Sequence, residues 1–433
     1  MTALRDRAGG AALVLLVAVT VAHQVHPPFP LWYAGVAGWC AVALLWPRLG
    51  PKQRIPVVAM LVLGALGIAW SDARGQSGLV ETALTMNDAV VAMLVAVTFL
   101  QLVTLTRGDA AAGLPRGRPA LARTLAGVHL FGGVINLSTV MIVGERIARE
   151  GRLSRPQVRA LTRAFGMAAF WSPFWAAMAT ALTYAPGARL PVLLAIGIPL
   201  AAAGLALAWL DLTSAREGDA AEFVGYPMNA GALGIPLALA IGVLATNALL
   251  PAWSLLIVVT VLAPLVAVSL LLWREGLLAT ARQLLAHVRT RLPGMAGEVS
   301  LFMSAAAFAA GIGGVLNAVG PGLPLQGFGG PAAAAMLVLV VGLAMAGLHP
   351  IISISIASTW IAPVKPDANL LALTILAAWG IGTFINPLSG MALSLYGRFG
   401  VSGRSILRWN LGFALKMLAL ACLVLLGYGA LMR

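Results

Sequence analysis

The sequence predicts an all-α polytopic membrane protein with about 11 transmembrane helices and two opposed re-entrant hairpins, arranged in two inverted repeats. Of its 433 residues, 60% are hydrophobic and only 10% are charged, whereas a soluble domain carries roughly 25% charged residues. The apolar runs have the length of membrane-crossing helices, about 20 residues, and not of barrel strands. The 28 basic residues cluster in short loops, a pattern typical of cytoplasmic loops rather than of nucleic-acid binding.

Eleven apolar runs are predicted to cross the membrane completely. They are 10–25, 31–46, 55–70, 86–105, 160–184, 189–210, 232–249, 252–273, 298–318, 368–396 and 405–430. With this assignment most basic residues lie on one side. We therefore expect a multi-pass protein of a bacterial inner (cytoplasmic) membrane, with a cytoplasmic N-terminus and an external C-terminus.

Two further apolar segments do not fit simple crossings. Segment 120–146 has arginines on both flanks, from Arg107 to Arg123 before it and from Arg146 to Arg163 after it, so we expect it to enter and leave by the cytoplasmic face. Segment 331–363 is too long for one helix and contains Gly347-Leu348-His349-Pro350, where proline removes a backbone donor. Each segment is predicted to be a re-entrant hairpin.

Two polar stretches separate these elements. Residues 276–292 place leucines on one helical face and arginines elsewhere, which favours a helix on the cytoplasmic membrane surface. Residues 211–231 contain Asp211 and three further acids and are interpreted as the linker between two halves.

The chain resembles itself at two places. AGVHLFGGVINLST (126–139) matches AGLHPIISISIAST (346–359), and FGMAAFWSPFWAAM (165–178) matches WGIGTFINPLSGMA (379–392). The second match aligns Gly166 with Gly380, Phe170 with Phe384 and Pro173 with Pro387. Because each copy contains an odd number of crossings, the second copy inserts upside down. Inverted repeats with interrupted helices are the signature of secondary transporters.

The predicted organisation follows from this duplication. An N-terminal peripheral span (1–30) precedes repeat 1 (31–210), the linker (211–231) and repeat 2 (232–433). The scaffold spans are 31–105 and 232–318, and the hairpin and transport spans are 120–210 and 331–430.

Four places are predicted to be interrupted at membrane depth, where irregular backbone is tolerated only in protein or beside a wet cavity. They are the hairpin tips, near Asn136–Thr139 and Ser353–Thr359, and the broken spans at Ser172-Pro173 and Asn386-Pro387. The candidate binding residues are Asn136, Ser138, Thr139, Ser172, Pro173, Ser355, Ser358, Thr359, Asn386, Pro387 and Ser389. As alternatives, the hydroxyls bond back to their own helices and the prolines are plain kinks.

Titratable residues are sparse in the apolar runs. Only Asp88 and Glu145 are candidates for membrane-embedded acids, which disfavours a carboxylate-based proton relay or cation cage. His129 and His349 either carry protons or hydrogen-bond within the hairpins, and Lys416 has no assigned role. Enzyme motifs are absent, and Cys40 and Cys422 suggest neither a disulfide nor a resident metal. We expect no catalytic residue and no cofactor.

Over residues 31–430 this arrangement resembles the ion transporter superfamily, in particular its divalent-anion/sodium symporter branch. The resemblance implies hairpin tips that bind Na⁺ and a carboxylate, at Asn136, Ser138 and Thr139 in the first copy and Ser358 and Thr359 in the second. It also implies unwound helices at Ser172-Pro173 and Asn386-Pro387, and a homodimer working as an elevator.

The sequence thus predicts a secondary active transporter of a small anion, with Na⁺ as coupling ion and H⁺ as the alternative. The membrane subunit of a tripartite transporter that receives substrate from a periplasmic binding protein is an alternative of similar length. A passive channel and a membrane-embedded enzyme or lipid-handling protein are further alternatives. No nucleic acid is expected as a partner.

Overall fold

The computed structural model describes residues 2–104, 113–214, 222–227, 234–319 and 327–432, and within these ranges the chain is helical. The helices of the first part are α1 (Thr2–Val25), α2 (Trp32–Leu45), α3 (Pro51–Asp72), α4 (Leu79–Thr85), α5 (Asp88–Thr98), α6 (Gln101–Thr104), α7 (Gly117–Ile135), α8 (Ser138–Ile147), α9 (Arg155–Ala168), α10 (Ala176–Tyr184) and α11 (Leu190–Thr213). Those of the second part are α12 (Gly234–Leu249), α13 (Leu255–Glu275), α14 (Leu277–Ala286), α15 (Ala296–Val319), α16 (Gly330–Met345), α17 (Pro350–Ile361), α18 (Ala368–Ile385), α19 (Gly390–Phe399) and α20 (Gly403–Leu431).

In the described part of the chain, eight helical stretches are long and apolar enough to cross a membrane. Large apolar side chains remain exposed on them, for example Leu66 at 62% and Leu423 at 65%, as expected where lipid replaces water as the neighbour. The prediction of a helical polytopic membrane protein is confirmed at this level. The number of crossings and the inverted repeats stay predictions.

The chain divides into two compact units, each formed from two separate segments. Unit 1 consists of Met1–Leu105 and Ala238–Pro324, and unit 2 of Thr106–Leu237 and Leu325–Arg433. The predicted peripheral span belongs to unit 1, where α1 packs against α2 and α5 and buries Leu13 and Leu16 completely.

Close packing in unit 1 relies on glycine. Helices α3 and α15 pack along their length. A Cβ at Gly67 would lie 2.8 Å from the backbone of Gly311, and one at Gly64 would lie 2.6 Å from the carbonyl oxygen of Ala307. The two backbones approach this closely because these positions lack side chains, a common device between membrane helices.

Unit 2 contains helices α7–α11 and α16–α20, and four of its apolar segments are interrupted. The backbone breaks between α7 and α8, between α9 and α10, between α16 and α17, and between α18 and α19. Both predicted hairpin segments therefore form two arms, and both predicted broken spans are broken.

The second hairpin breaks at Ala346–His349, the glycine-proline segment, and not between Ser353 and Thr359. The predicted interruption at Ser353–Thr359 is wrong, because these residues lie within α17. Serine and threonine are compatible with a membrane helix when they bond back to it, and the Thr359 hydroxyl donates to the carbonyl oxygen of Ser355 at 2.7 Å. Gly347 instead has a φ of 97°, and Pro350 begins the new helix.

The predicted linker is only partly a linker. Asp211 lies in α11 and not in a linker. The predicted linker therefore begins too early, because Asp211 was grouped with the acidic residues that follow it in the sequence. In the described range 222–227, Gln157 donates to the carbonyl oxygen of Val224 at 3.0 Å, and the amide of Tyr226 donates to the Thr124 hydroxyl at 2.9 Å. This piece is therefore packed into unit 2. The rest of the predicted linker, 215–221 and 228–231, lies outside the described residues.

The predicted surface segment 276–292 begins as a helix, α14, and continues in a wider and then a tighter turn through 287–295. Leu277 and Leu278 are 72% and 77% exposed. His287 is buried, and its Nε2 lies 2.8 Å from the Thr98 hydroxyl. The helix is confirmed, while its place on the membrane surface stays a prediction.

Candidate functional site

The first hairpin turns at Asn136, whose φ of 58° and ψ of −144° end α7. Helix α8 begins two residues later, and the amide of Thr139 donates to the carbonyl oxygen of Asn136 at 3.1 Å. Asn136 and Ser138 are half-buried. The Thr139 hydroxyl is buried and has no hydrogen-bond partner within the described structure.

The second hairpin places its predicted residues along α17 rather than at its tip. The Ser355 hydroxyl lies 2.7 Å from the Tyr184 hydroxyl, which joins α17 to α10. Ser353 and Ser358 are buried, and neither hydroxyl has a partner in the described structure. Thr359 is half-buried and bonds back to its own helix.

The break between α9 and α10 is fastened to the first hairpin. The Ser172 hydroxyl donates to the carbonyl oxygen of Gly133 and accepts the amide of Phe174 at 3.2 Å. Nearby, the Trp175 indole donates to the carbonyl oxygen of Gly132 at 2.7 Å. Both acceptors lie on α7, so two side chains of the break tie it to the hairpin. Pro173, between Ser172 and Phe174, is buried.

The break between α18 and α19 is fastened to the second hairpin in the same way. The Asn386 amide donates to the carbonyl oxygen of Leu348 at 2.9 Å, and its Oδ1 accepts the amide of Leu388 at 2.7 Å. Ser389 caps α19 by accepting the amide of Ala392 at 3.2 Å. Pro387 is half-buried. Asn386 and Ser172 thus make equivalent bonds at aligned positions of the two matched segments.

Helices α9 and α18 cross at the aligned glycines. A Cβ at Gly166 would lie 2.5 Å from the Phe384 ring and 3.0 Å from the carbonyl oxygen of Gly380. A Cβ at Gly380 would meet the Phe170 ring and lie 3.2 Å from the carbonyl oxygen of Gly166. Gly166 therefore faces Gly380 and Phe384, and Gly380 faces Gly166 and Phe170.

The two predicted histidines have structural partners. The Trp171 indole donates to Nε2 of His129 at 3.0 Å, and an indole N–H is only a donor. Nε2 is therefore the acceptor, and Nδ1 faces the carbonyl oxygen of Ala164 at 3.2 Å as the donor of a neutral ring. His349 caps α17, because its Nδ1 accepts the amide of Ile351 at 3.3 Å. His349 therefore bonds within its own hairpin, whereas both partners of His129, Ala164 and Trp171, lie outside the first hairpin.

A buried polar network behind the second break was not predicted. Asn410 accepts Nε of Arg163 at 3.0 Å and donates to the Thr162 hydroxyl at 3.1 Å and the carbonyl oxygen of Phe384 at 3.2 Å. In an unbroken helix the amide of Leu388 would donate to the carbonyl oxygen of Phe384. At the break this amide donates to the Asn386 side chain instead. Asn410 therefore satisfies a group that the interruption frees.

The sequence signal for this network was the presence of charges inside apolar runs. Arg163 is buried, and its Nη1 lies 3.2 Å from Oδ2 of Asp211. Lys416, which had no assigned role, pairs with the other oxygen of Asp211 at 2.5 Å. Of the two predicted membrane-embedded acids, Glu145 pairs with Arg398 at 2.6 Å with both side chains exposed.

Asp88 is the other acid, and it is fully buried in unit 1 at the start of α5. Neither carboxyl oxygen has a hydrogen-bond partner in the described structure. The preceding residue, Asn87, donates to the carbonyl oxygen of Phe302 at 2.7 Å, which secures the break between α4 and α5.

Besides its charged network, unit 2 offers uncharged hydroxyl oxygen atoms, one beside the first hairpin turn and the others within α10 and α17. Buried hydroxyls without a partner are uncommon and call for an explanation, and unit 2 has them at Thr139, Thr180, Ser353 and Ser358. Within the described residues no three His, Cys, Asp or Glu side chains lie together as metal ligands. Hydroxyl and carbonyl oxygens suit hard monovalent or divalent cations, and free amides at helix starts suit anions.

No protein-family model matches the chain, and no curated protein matches it.

Proposed function

We propose that the protein is a secondary active transporter that carries a small anion, a carboxylate by preference, across the inner membrane by an elevator mechanism coupled to Na⁺. One observation carries the proposal: unit 2 contains two hairpins and two broken helices, and each broken helix is hydrogen-bonded to its own hairpin through Ser172 or Asn386. Interrupted helices near the midplane are where transporters of this kind bind substrate and coupling ion.

The internal symmetry of these contacts supports an inverted duplication. Ser172 and Asn386 each accept the amide two residues later and donate to a hairpin carbonyl. Gly166 and Gly380 make reciprocal contacts, as residues related by a two-fold axis do. Reciprocity supports a two-fold relation between the copies, and the inverted orientation rests on the predicted odd number of crossings in each copy.

The binding site of the proposed transporter is formed by the hairpins and the breaks. Thr139 and Ser358, one from each hairpin, have buried hydroxyls without a partner, and we assign them as oxygen ligands of Na⁺. The amide groups at the start of α10 are assigned to the anion, because helix N-termini carry unpaired N–H groups. Ser172 and Asn386 then position the breaks rather than bind directly.

The division of the chain into two units supports an elevator mechanism. Unit 2 contains every predicted hairpin and transport span, and unit 1 contains the predicted scaffold spans except for residues 232–237. A compact unit made of discontinuous segments is suited to moving as a body. We propose unit 2 as the moving domain and unit 1 as the scaffold, which also forms the homodimer interface.

The decisive experiment measures the uptake of small carboxylate anions into proteoliposomes, driven by an imposed Na⁺ gradient. Thr139→Ala combined with Ser138→Ala, or Ser358→Ala combined with Thr359→Ala, is expected to abolish uptake without lowering membrane expression. The matched control is Thr260→Ala with Ser304→Ala in unit 1, where both hydroxyls bond to their own helices. Uptake at the wild-type rate by both hairpin variants contradicts the assigned site.

Proton coupling is the second candidate, and Asp88 is the observation in its favour. A buried carboxyl without a partner is the kind of membrane-embedded acid that relays protons. Asp88→Asn separates the two candidates: under Na⁺ coupling the variant keeps Na⁺-driven uptake, and under proton coupling it loses uptake driven by a pH gradient.

The same vesicles discriminate the remaining alternatives. A passive channel shows neither saturation nor accumulation against a gradient. A subunit of a tripartite system transports only when a periplasmic binding protein is added. An embedded enzyme or lipid-handling protein converts or moves lipid without anion uptake.

A further inference from the structure

Asp88 is an acid without a partner inside an apolar stretch of unit 1. The residue is fully buried, and neither of its carboxyl oxygens has a hydrogen-bond partner in the described structure. It lies within Leu79–Val103, a stretch that is long and apolar enough to cross a membrane. An ionised carboxylate at such a place is costly unless a positive charge compensates it.

Protonation alone does not satisfy this carboxyl group. A protonated carboxyl is neutral, but its O–H group is a donor that needs an acceptor, and buried polar groups are almost always paired. The ionised form needs a cation instead, and no Lys, Arg or His side chain among the described residues bonds to Asp88. Either form therefore calls for a bound partner.

The backbone is interrupted directly before Asp88. The last helical bond of α4 runs from the amide of Met86 to the carbonyl oxygen of Thr82 at 3.0 Å, and the first of α5 runs from the amide of Val91 to that of Asn87 at 2.9 Å. No helical bond spans the break within the described residues. The carbonyl groups of residues 83–86 are thus left without the amides that an unbroken helix provides.

The two helix ends at this break favour opposite charges. The C-terminal end of α4 carries a partial negative charge and attracts a cation. The N-terminal end of α5, where Asp88 is the first residue, carries a partial positive charge and favours the ionised carboxylate. The break is also shielded from water, because Ala83 and Asn87 are only 7% and 1% exposed.

The oxygen atoms at the break indicate the class of cation. Carboxylate and carbonyl oxygens suit hard cations, and carbonyls of unwound helices coordinate Na⁺ in transporters. One carboxylate balances one positive charge, so a monovalent cation forms a neutral complex with Asp88. A divalent cation leaves an excess charge inside the membrane, which is costly.

We propose that Asp88, together with carbonyl oxygens of residues 83–86, holds a resident Na⁺ ion that joins α4 to α5. This ion is separate from the transported one, because the hairpins and broken helices assigned to transport lie in unit 2. The proposal therefore does not rest on the proposed transport function. A resident ion on Asp88 also occupies the carboxyl group that proton coupling needs.

The test counts the radioactive Na⁺ ions bound to the purified full-length protein in nanodiscs, with choline chloride keeping the ionic strength constant. Asp88→Asn is expected to bind one Na⁺ per chain fewer than the wild type. Asp72→Asn is the matched control, because Asp72 is an exposed acid at the end of α3 in the same unit, and it is expected to bind the wild-type number. The sites assigned in unit 2 are intact in both variants, so the difference reports on Asp88 alone.

Thermal unfolding separates a lost ion from a damaged fold. A ligand of the folded state raises the unfolding midpoint, so the gain on replacing choline by Na⁺ is expected to be smaller in Asp88→Asn than in the wild type. In choline chloride the variant is expected to unfold at or above the wild-type midpoint, because its amide has no charge to bury. Asp88→Ser is the second variant if Asp88→Asn does not fold.

Hydrogen exchange of the wild-type protein needs no variant. Amide exchange at residues 87–90 is expected to be slower in Na⁺ than in choline, because the ion holds the break closed.

Three results overturn the proposal. They are equal numbers of Na⁺ bound by Asp88→Asn and Asp72→Asn, a Na⁺-dependent gain in midpoint that is fully retained in Asp88→Asn, and exchange at residues 87–90 that is the same in both salts. None of them contradicts the transport function, whose failure appears separately as anion uptake that does not respond to a Na⁺ gradient.

Discussion

Gly166 and Gly380 face each other where α9 crosses α18, and each contacts the phenylalanine that follows the other by four positions. This reciprocal contact relates two segments separated by 214 positions that also match in sequence. The crossing brings together the two helices that break at Ser172 and Asn386, so its geometry bears directly on the proposed site.

Gly166→Ala is expected to lower the thermal unfolding midpoint of the purified protein. The added methyl group would lie 2.5 Å from the Phe384 ring and 3.0 Å from the carbonyl oxygen of Gly380, and overpacking of this kind costs about 1–3 kcal/mol. Gly397→Ala in α19 is the control, because no atom lies within 4 Å of its added Cβ. Equal midpoints for the two variants would show that α9 and α18 do not pack as described.

Ser172→Ala and Asn386→Ala are expected to loosen the two breaks to a similar extent. Each variant loses a bond to a hairpin carbonyl and a bond to the amide two residues later, and each unpaired buried group costs about 1–3 kcal/mol. Faster amide hydrogen exchange at Gly133–Asn136 or at Leu348–His349 is the measurement. Thr383→Ala removes a hydroxyl that only bonds back to its own helix and should leave exchange unchanged.

Asp211→Asn and Lys416→Met are expected to differ in their effects on stability. Asp211 pairs with the fully buried Arg163, and removing one partner of a buried ion pair costs about 3–5 kcal/mol. Lys416 is half-exposed, so its removal should cost less than about 1 kcal/mol. Unfolding midpoints measured at one lipid composition test the order, and a larger loss in Lys416→Met would refute this reading of the network.

Cysteine labelling tests the first hairpin. In a background where Cys40 and Cys422 are replaced by alanine, Arg118→Cys and Arg152→Cys should react with an impermeant maleimide from the same face of the membrane. Lys365→Cys, at the end of the second hairpin, should react from the other face. Labelling of positions 118 and 152 from opposite faces would contradict both the re-entrant hairpin and the inverted repeat.

Three of the four breaks could be predicted from the sequence because their causes are local, whereas the first hairpin was predicted from the arginines on its flanks. Pro173, Pro387 and Pro350 lack an amide hydrogen, and Gly347 adopts a φ that other residues rarely adopt. The false break at Ser353–Thr359 had no such cause. Its hydroxyls suggested a binding tip, yet a hydroxyl bonds equally well to its own helix, and the sequence alone does not distinguish the two outcomes.

The sequence by itself determined that this is a helical membrane protein, because too few charges are present to cover a water-facing surface. It also determined most places where its helices stop, through proline and glycine. Only the tertiary structure decided how buried polar groups are paired. Arg163, Asn410 and Asp211 come from three different helices and are separated in the chain by 48 to 247 positions. Their partners depend on which helix faces meet, and that is a property of packing that no local pattern contains.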